Sequence, residues 1–221
     1  MRILSTLAVK GLLAELLADA PGFDIVYEPT QLLLARIARG EAADVAILTQ
    51  AAVDDLLAQG TFEPGSKRDV AISAIGIAVK AGAPKPDIST PEAVRTLLLE
   101  VPSLCYSRSG ASGLHFARVL RELGIADAVN AKATIIPSGF TAETLVDGRC
   151  VIAIQQLSEL LVVPGIKVVG PLPDPIQETL TFSAGVFAGS ERAGEAARWL
   201  EAITRLELSE TYMRHGLRLA P

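Results

Sequence analysis

A chain of 221 residues that is half hydrophobic and one-fifth charged can bury a sizeable core, either as one large domain or as two small lobes. Its formal net charge of −5 weighs against nucleic acid or an anionic membrane as the main partner, so an anion site would have to be a local feature. No apolar run is long enough to insert across a bilayer.

The start of the chain, Met1-Arg2 followed by Ile3-Leu4-Ser5-Thr6, has no long apolar stretch and no small-residue cleavage site. It predicts a cytoplasmic protein, or a periplasmic one whose signal peptide has been removed. Ile3-Leu4 reads as a first strand and Leu7 to Ala18 as a helix. Phe23 to Tyr27 is the next strand, and Thr30 is placed to cap a helix that stops at Gly40. Val45 to Leu48 is a strand, and Ala51 to Gln59 a helix ended by Gly60. The apolar segment Val70 to Val79 is one strand or two. Ser89-Thr90-Pro91-Glu92 opens a helix with a hydroxyl cap and an early proline.

Ser103 to Gly124 reads as a buried strand, a loop of hydroxyls and glycines around Arg108, and an amphipathic helix with Leu114, Ala117, Leu120 and Leu123 at helical spacing. A strand near Thr134 to Ile136 leads into Pro137-Ser138-Gly139 and a helix from Thr141 to Asp147. Val151 to Ile154 is a strand, Gln155-Gln156 its loop, and Leu157 to Leu161 a short helix. A strand at Ile166 to Val169, an extended stretch from Thr179 to Ala188, and helices at Glu191 to Arg205 and Leu208 to His215 complete the chain. The alternation predicts an α/β fold, and the long strands near 70–80 and 179–188 are candidate crossings between lobes. Cys105 and Cys150 each lie in or beside an apolar run and read as two buried thiols.

In open α/β sheets ligands sit beyond the carboxyl ends of the strands. The segments there are alike: Ser5-Thr6, Thr30-Gln31, Ser107-Arg108-Ser109-Gly110 with Ser112-Gly113, Ser138-Gly139 and Gln155-Gln156. Hydroxyl, amide and backbone N–H donors of this kind hold an oxyanion or carboxylate without a metal. Each loop taken alone also reads as simple helix capping. Arg108 reads as a bidentate carboxylate clamp or as an exposed arginine at a loop tip. His115 reads as a proton carrier or as a partly buried aromatic, and Ser109 is the other catalytic candidate. No spacing suits a metal ion, a nucleotide motif or another cofactor.

At these residues the chain resembles the molybdate-binding protein family of the type 2 periplasmic binding fold. The matching stretches are Gly40 to Ile47, Thr6 and Thr30 at its loop serines, Ser112-Gly113 at the opening of its third binding helix, and Gly148 to Ile154. The resemblance implies mixed sheets flanked by helices and a ligand cleft between two lobes. Residues 1–76 and 182–221 would form the first lobe and 77–181 the second. This chain departs from the family at Ala111-Ser112-Gly113, at His115, at Val151, and at Gln156, where the family has a binding tyrosine. With Arg108, these departures point to a small organic carboxylate rather than a metal oxyanion. Two functions follow. One is solute binding with hinge closure, for which a transporter partner would need an export signal. The other is isomerisation of a polycarboxylate, because the scaffold also includes aconitate isomerase.

Overall fold

The computed structural model describes residues 1–221. The chain forms two compact units, one made of Met1–Ser73 with Leu180–Pro221 and the other of Ala74–Thr179. No helix is long and apolar enough to cross a membrane.

The first unit opens with β1, Arg2–Ser5, a 3-10 turn over Leu7–Val9, and α1, Lys10–Leu16. One helix from Leu7 to Ala18 was the expectation. The turn is separate because Thr6 Oγ1 caps it, accepting Ala8 N–H at 3.4 Å, and because Val9 leaves helical geometry at φ −105°, ψ 7°. Then come β2, Asp24–Tyr27; α2, Thr30–Ala38; β3, Val45–Thr49; and α3, Gln50–Ala58. β1 pairs in parallel with both β2 and β3, so their carboxyl ends share one edge. Thr30 does not cap α2 as its position suggested. Pro29 occupies the cap, its carbonyl accepting Leu33 N–H at 3.1 Å, and Thr30 is the first helical residue. Arg36 grips Glu28 through Nε at 2.9 Å and Nη2 at 2.5 Å, which fixes the loop ahead of Thr30.

β4, Arg68–Lys80, is a single strand that carries the chain into the second unit at Ser73–Ala74. There follow α4, Pro91–Glu100; β5, Leu104–Ser107; α5, Ala111–Glu122; α6, Ala126–Asn130; and β6, Ala133–Ile136. After them come α7, Glu143–Val146; β7, Ile152–Gln156; α8, Leu157–Leu160; and β8, Ile166–Pro171. β5 pairs in parallel with β6 and β7, while β7 and β8 run antiparallel to the second half of β4. The carboxyl ends of β5, β6 and β7 thus share an edge. Gln155 and Gln156 are strand residues, opposite Gly76 and Ile75 of β4, and not the loop that their polarity suggested. α7 is shorter than expected because Thr141 is tied by its N–H to Gln155 Oε1 at 2.8 Å. The core packs Leu104, Tyr106, Ile152 and Ile154 against Phe116, Val119 and Leu120 of α5.

β9, Thr179–Val186, returns to the first unit and lies antiparallel to β3. α9, Ala193–Ile203, and α10, Ser209–Arg214, are followed by β10, Leu217–Leu219, which pairs with Ala71–Ser73. Sequence reading missed α6 and β10. Residues of β1 and β3 are buried on both faces: Ile3, Val45 and Ile47 against α1, α9 and α10, and Leu4, Ala46 and Leu48 against α2 and α3. Both cysteines are buried and unpaired.

Phe62 wedges against Gly185, where a Cβ would stand 2.3 Å from its Cδ2, and meets Phe187 edge-on at 5.1 Å. Phe62→Ala removes this wedge from a fully packed spot. It is expected to cost about 3–5 kcal/mol, read as a lowered urea midpoint with an unchanged m value.

Candidate functional site

In the second unit the site begins at the end of β5. Ser107 is 2% exposed. Its hydroxyl is covered by the loop that turns back into α5, and that covering demands glycine. A Cβ on Gly113 would fall 1.8 Å from the Ser107 carbonyl oxygen, and one on Gly110 would fall 2.5 Å from Ser107 Oγ. Gly110 caps α5 with extended backbone, and no side chain accepts the helix's first N–H groups. The positive end of a twelve-residue helix therefore opens beside a buried hydroxyl.

Neighbouring loops are laced to this turn. Arg108 N–H donates to Ile136 O at 2.8 Å, and Ser109 Oγ donates to Pro137 O at 2.6 Å, which ties the β5 loop to the one after β6. The Arg108 side chain is exposed and forms no ion pair. Ser112 and Gly113 are buried, Ser138 is exposed and Gly139 partly exposed.

β7 supplies two glutamines with different roles. The Gln155 amide is fully committed: Oε1 accepts Thr141 N–H and Thr141 Oγ1–H at 2.8 and 3.0 Å, and Nε2 donates to Gly139 O at 2.9 Å and also bonds Glu159. Gln155 thus builds the loop after β6. Gln156, also 2% exposed, leaves both amide atoms unpartnered. Four buried side-chain polar atoms lack a hydrogen-bond partner, and three of them belong to Ser107 and Gln156. Each such group costs ~1–3 kcal/mol if nothing answers it. Concentrated at the edge of one sheet, they mark a place built to be answered.

Sequence reading missed Glu159. It is buried in α8, and burial pushes its carboxyl up to about 8 despite hydrogen bonds from Gln156 N–H and the Gln155 side chain. Its place, three residues after the Gln156 cap, is the acidic position of a capping box, and that spacing was a readable signal.

His115 is buried in α5, one turn beyond its start. Nε2 lies 2.9 Å from Ile176 O, which only an N–H can satisfy, and Nδ1 is 2.5 Å from Glu178 Oε2 with Arg118 Nη2 at 2.8 Å. Both ring nitrogens are thus engaged with the 176–178 segment and its ion pair.

The first unit gathers a second polar edge. Ser5 is buried with Oγ donating to Thr6 O at 3.1 Å, and Thr6 N–H donates to Ile47 O at 2.8 Å. Thr30 Oγ1 accepts Thr49 N–H at 3.3 Å, which brings the ends of β2 and β3 together. Gln31 is exposed. Gln50, not foreseen, reaches Asp69 Oδ2 at 3.1 Å, and Ser183 Oγ donates to Asp69 Oδ1 at 2.5 Å.

The chain is 32% identical over 232 residues to an aconitate isomerase of Pseudomonas sp, with 99% of this chain and 88% of the isomerase covered. Among solved structures it resembles the periplasmic molybdate-binding protein of Azotobacter vinelandii, with a TM-score of 0.83 at 17% identity and both chains fully covered. It also resembles the sulfate-binding protein SubI of Mycobacterium tuberculosis, with a TM-score of 0.71 at 16% identity, covering 100% of this chain and 86% of SubI. The sequence profile of the bacterial extracellular solute-binding proteins matches residues 21–218. This chain, with its type 2 periplasmic binding fold, belongs to that family of bacterial extracellular solute-binding proteins.

Proposed function

We propose that this protein binds a small organic carboxylate, with Ser107, Gln156 and the first turn of α5 as the principal donors. The reading is carried by the buried, unpartnered hydroxyl of Ser107 and amide of Gln156 beside an uncapped helix start. An anionic oxygen answers several N–H and O–H donors at once, and it gains further from the helix dipole. Arg108, exposed at the loop tip, supplies a full positive charge to a second carboxylate of a longer ligand. Family membership supports solute binding. The match to aconitate isomerase, whose name gives a tricarboxylate, supports a carboxylate over a metal oxyanion.

A second reading is a polycarboxylate isomerase. It is favoured by the same sequence relationship together with Glu159, a buried ionisable group among the site glutamines. Moving a double bond takes a proton from a carbon next to a carboxylate and returns one nearby. In this reading Glu159 holds the transferable proton ahead of the sequence candidates. His115 is engaged by Ile176 and Glu178, and Ser109 by the Pro137 carbonyl.

Calorimetric titration against succinate, tricarballylate, citrate, both aconitate isomers, sulfate, molybdate and tungstate tests the first reading. Carboxylates are expected to bind, and Ser107→Ala to weaken them by about tenfold or more while leaving the unliganded protein at least as stable, since it removes an unanswered hydroxyl. Tight molybdate binding with no response to any carboxylate overturns it.

For the second reading, exchange of heavy-water deuterium into cis- or trans-aconitate is followed by NMR. Exchange that Glu159→Gln lowers by about 100-fold supports isomerisation, and binding without exchange leaves a solute-binding protein.

Glu159 also sets a pH dependence of stability. Its carboxyl ionises near 4.5 when unfolded and at about 8 when folded. Between those values the unfolded chain holds fewer protons, so stability falls as pH rises from about 4.5 to about 8 and changes no further through this group. Urea unfolding is expected to show that fall in the wild type and a flatter profile in Glu159→Gln.

A further inference from the structure

We infer that the ligand of the second unit carries a hydroxyl beside its anionic group, making it a hydroxycarboxylate, and that Gln156 is the residue that selects it. The inference rests on the anion-binding reading above and adds the chemistry of one more ligand atom. The unpartnered atoms at this edge are unequal in kind. Gln156 Nε2 has two N–H bonds to give, Ser107 Oγ has one O–H, and the first turn of α5 adds backbone N–H groups without a side-chain cap. An oxyanion answers all of them.

Gln156 Oε1 is the exception. It is a buried acceptor with two lone pairs and no donor. Sulfate, molybdate or tricarballylate, fully ionised, brings only acceptors. Against such a ligand the amide oxygen stays unmet and also faces negative oxygens. Turning the amide by half a circle exchanges the two atoms and leaves the same mismatch.

No protein donor is bonded to Gln156 Oε1. The Gln155 amide N–H groups go to Gly139 O and to Glu159, and the backbone N–H of Gln156 goes to Glu159. The alternation of β7 sends the two glutamines to opposite faces. Ile152 and Ile154, in step with Gln156, pack on α5, so Gln156 belongs to the face over which the uncapped helix start lies. A ligand hydroxyl next to a carboxylate is the group that donates to Oε1 while its carboxylate accepts from the rest. A ligand that meets this acceptor gains about 10- to 100-fold over an otherwise equal one that does not.

Matched ligand pairs test this on the whole chain. Malate against succinate and citrate against tricarballylate differ by one hydroxyl each, and calorimetry reads both pairs in the wild type and in Gln156→Met. The hydroxylated member is expected to bind about 10- to 100-fold tighter in the wild type, and the preference is expected to shrink to about onefold in Gln156→Met. Equal binding of both members by the wild type overturns the inference while the anion-binding reading stands. A preference that persists in Gln156→Met overturns the assignment to Gln156. Absence of binding by every carboxylate and oxyanion brings down the reading of the site itself, and this inference with it. The wild-type pairs need no variant, so a Gln156→Met chain that fails to fold does not remove the test of the hydroxyl.

Discussion

Gln155 and Gln156 are chemically identical neighbours, and the two-residue period of a strand sends them to opposite faces of β7. On one face Gln155 finds a backbone carbonyl, a backbone N–H, a hydroxyl and a carboxyl, and every hydrogen-bonding position of its amide is used. On the other, Gln156 finds none. The first glutamine spends its bonds shaping a loop, and the second keeps its bonds in reserve. Every functional statement about the second unit depends on that division, because a buried amide with nothing to bond to is stable only if a ligand or water completes it.

The same economy explains how a protein of net charge −5 would hold the anion proposed for it. Attraction at the site does not come from the sum of distant charges, which salt screens beyond about 10 Å. It comes from donors that are fixed in place before the ligand arrives. Gly113 sits so tightly on the Ser107 carbonyl that any side chain there would overlap it, and this contact aims the start of α5 at the edge where β5 and β7 end. Parallel pairing gives each unit such an edge: β1 with β2 and β3 in the first, and β5 with β6 and β7 in the second.

Much of this was legible in the order of residues, and the exceptions have physical reasons. Strand-then-helix alternation, the Thr90 cap and the turn glycines are local effects, and local signals announce them. Gln155-Gln156 looked like a loop because two amides in a row break the apolar pattern of a strand. Their register opposite Ile75 and Gly76 of β4, distant in sequence, places them in β7. Thr30 looked like a cap, but the backbone geometry of Pro29 took that position and freed the hydroxyl for Thr49. β10 is three residues long and exists only because β4 offers it a partner. His115 could be placed on a helix but not on a face toward Glu178, since that pairing spans residues far apart in the chain. Glu159 was the readable miss: an acid at the third position of a helix that opens straight from a strand.

Binding and isomerisation ask different things of the same edge. Binding needs donors that stay put, and the edge has them in excess. Isomerisation needs a group that can lose and regain a proton within reach of carbon. The edge has one buried carboxyl, Glu159, held by the backbone of Gln156 and the side chain of Gln155. Those bonds favour its ionised form while burial opposes it, so its charge is decided by a balance that a bound anion shifts toward the neutral acid. On the proposed reading, a neutral Glu159 costs a bound carboxylate no repulsion and keeps a proton in the helix that follows β7. The arrangement proposed to hold a carboxylate is therefore also the first requirement for turning such a receptor into an enzyme. Moving from one to the other asks only for a path from that carboxyl to the ligand's carbon, not for a new fold.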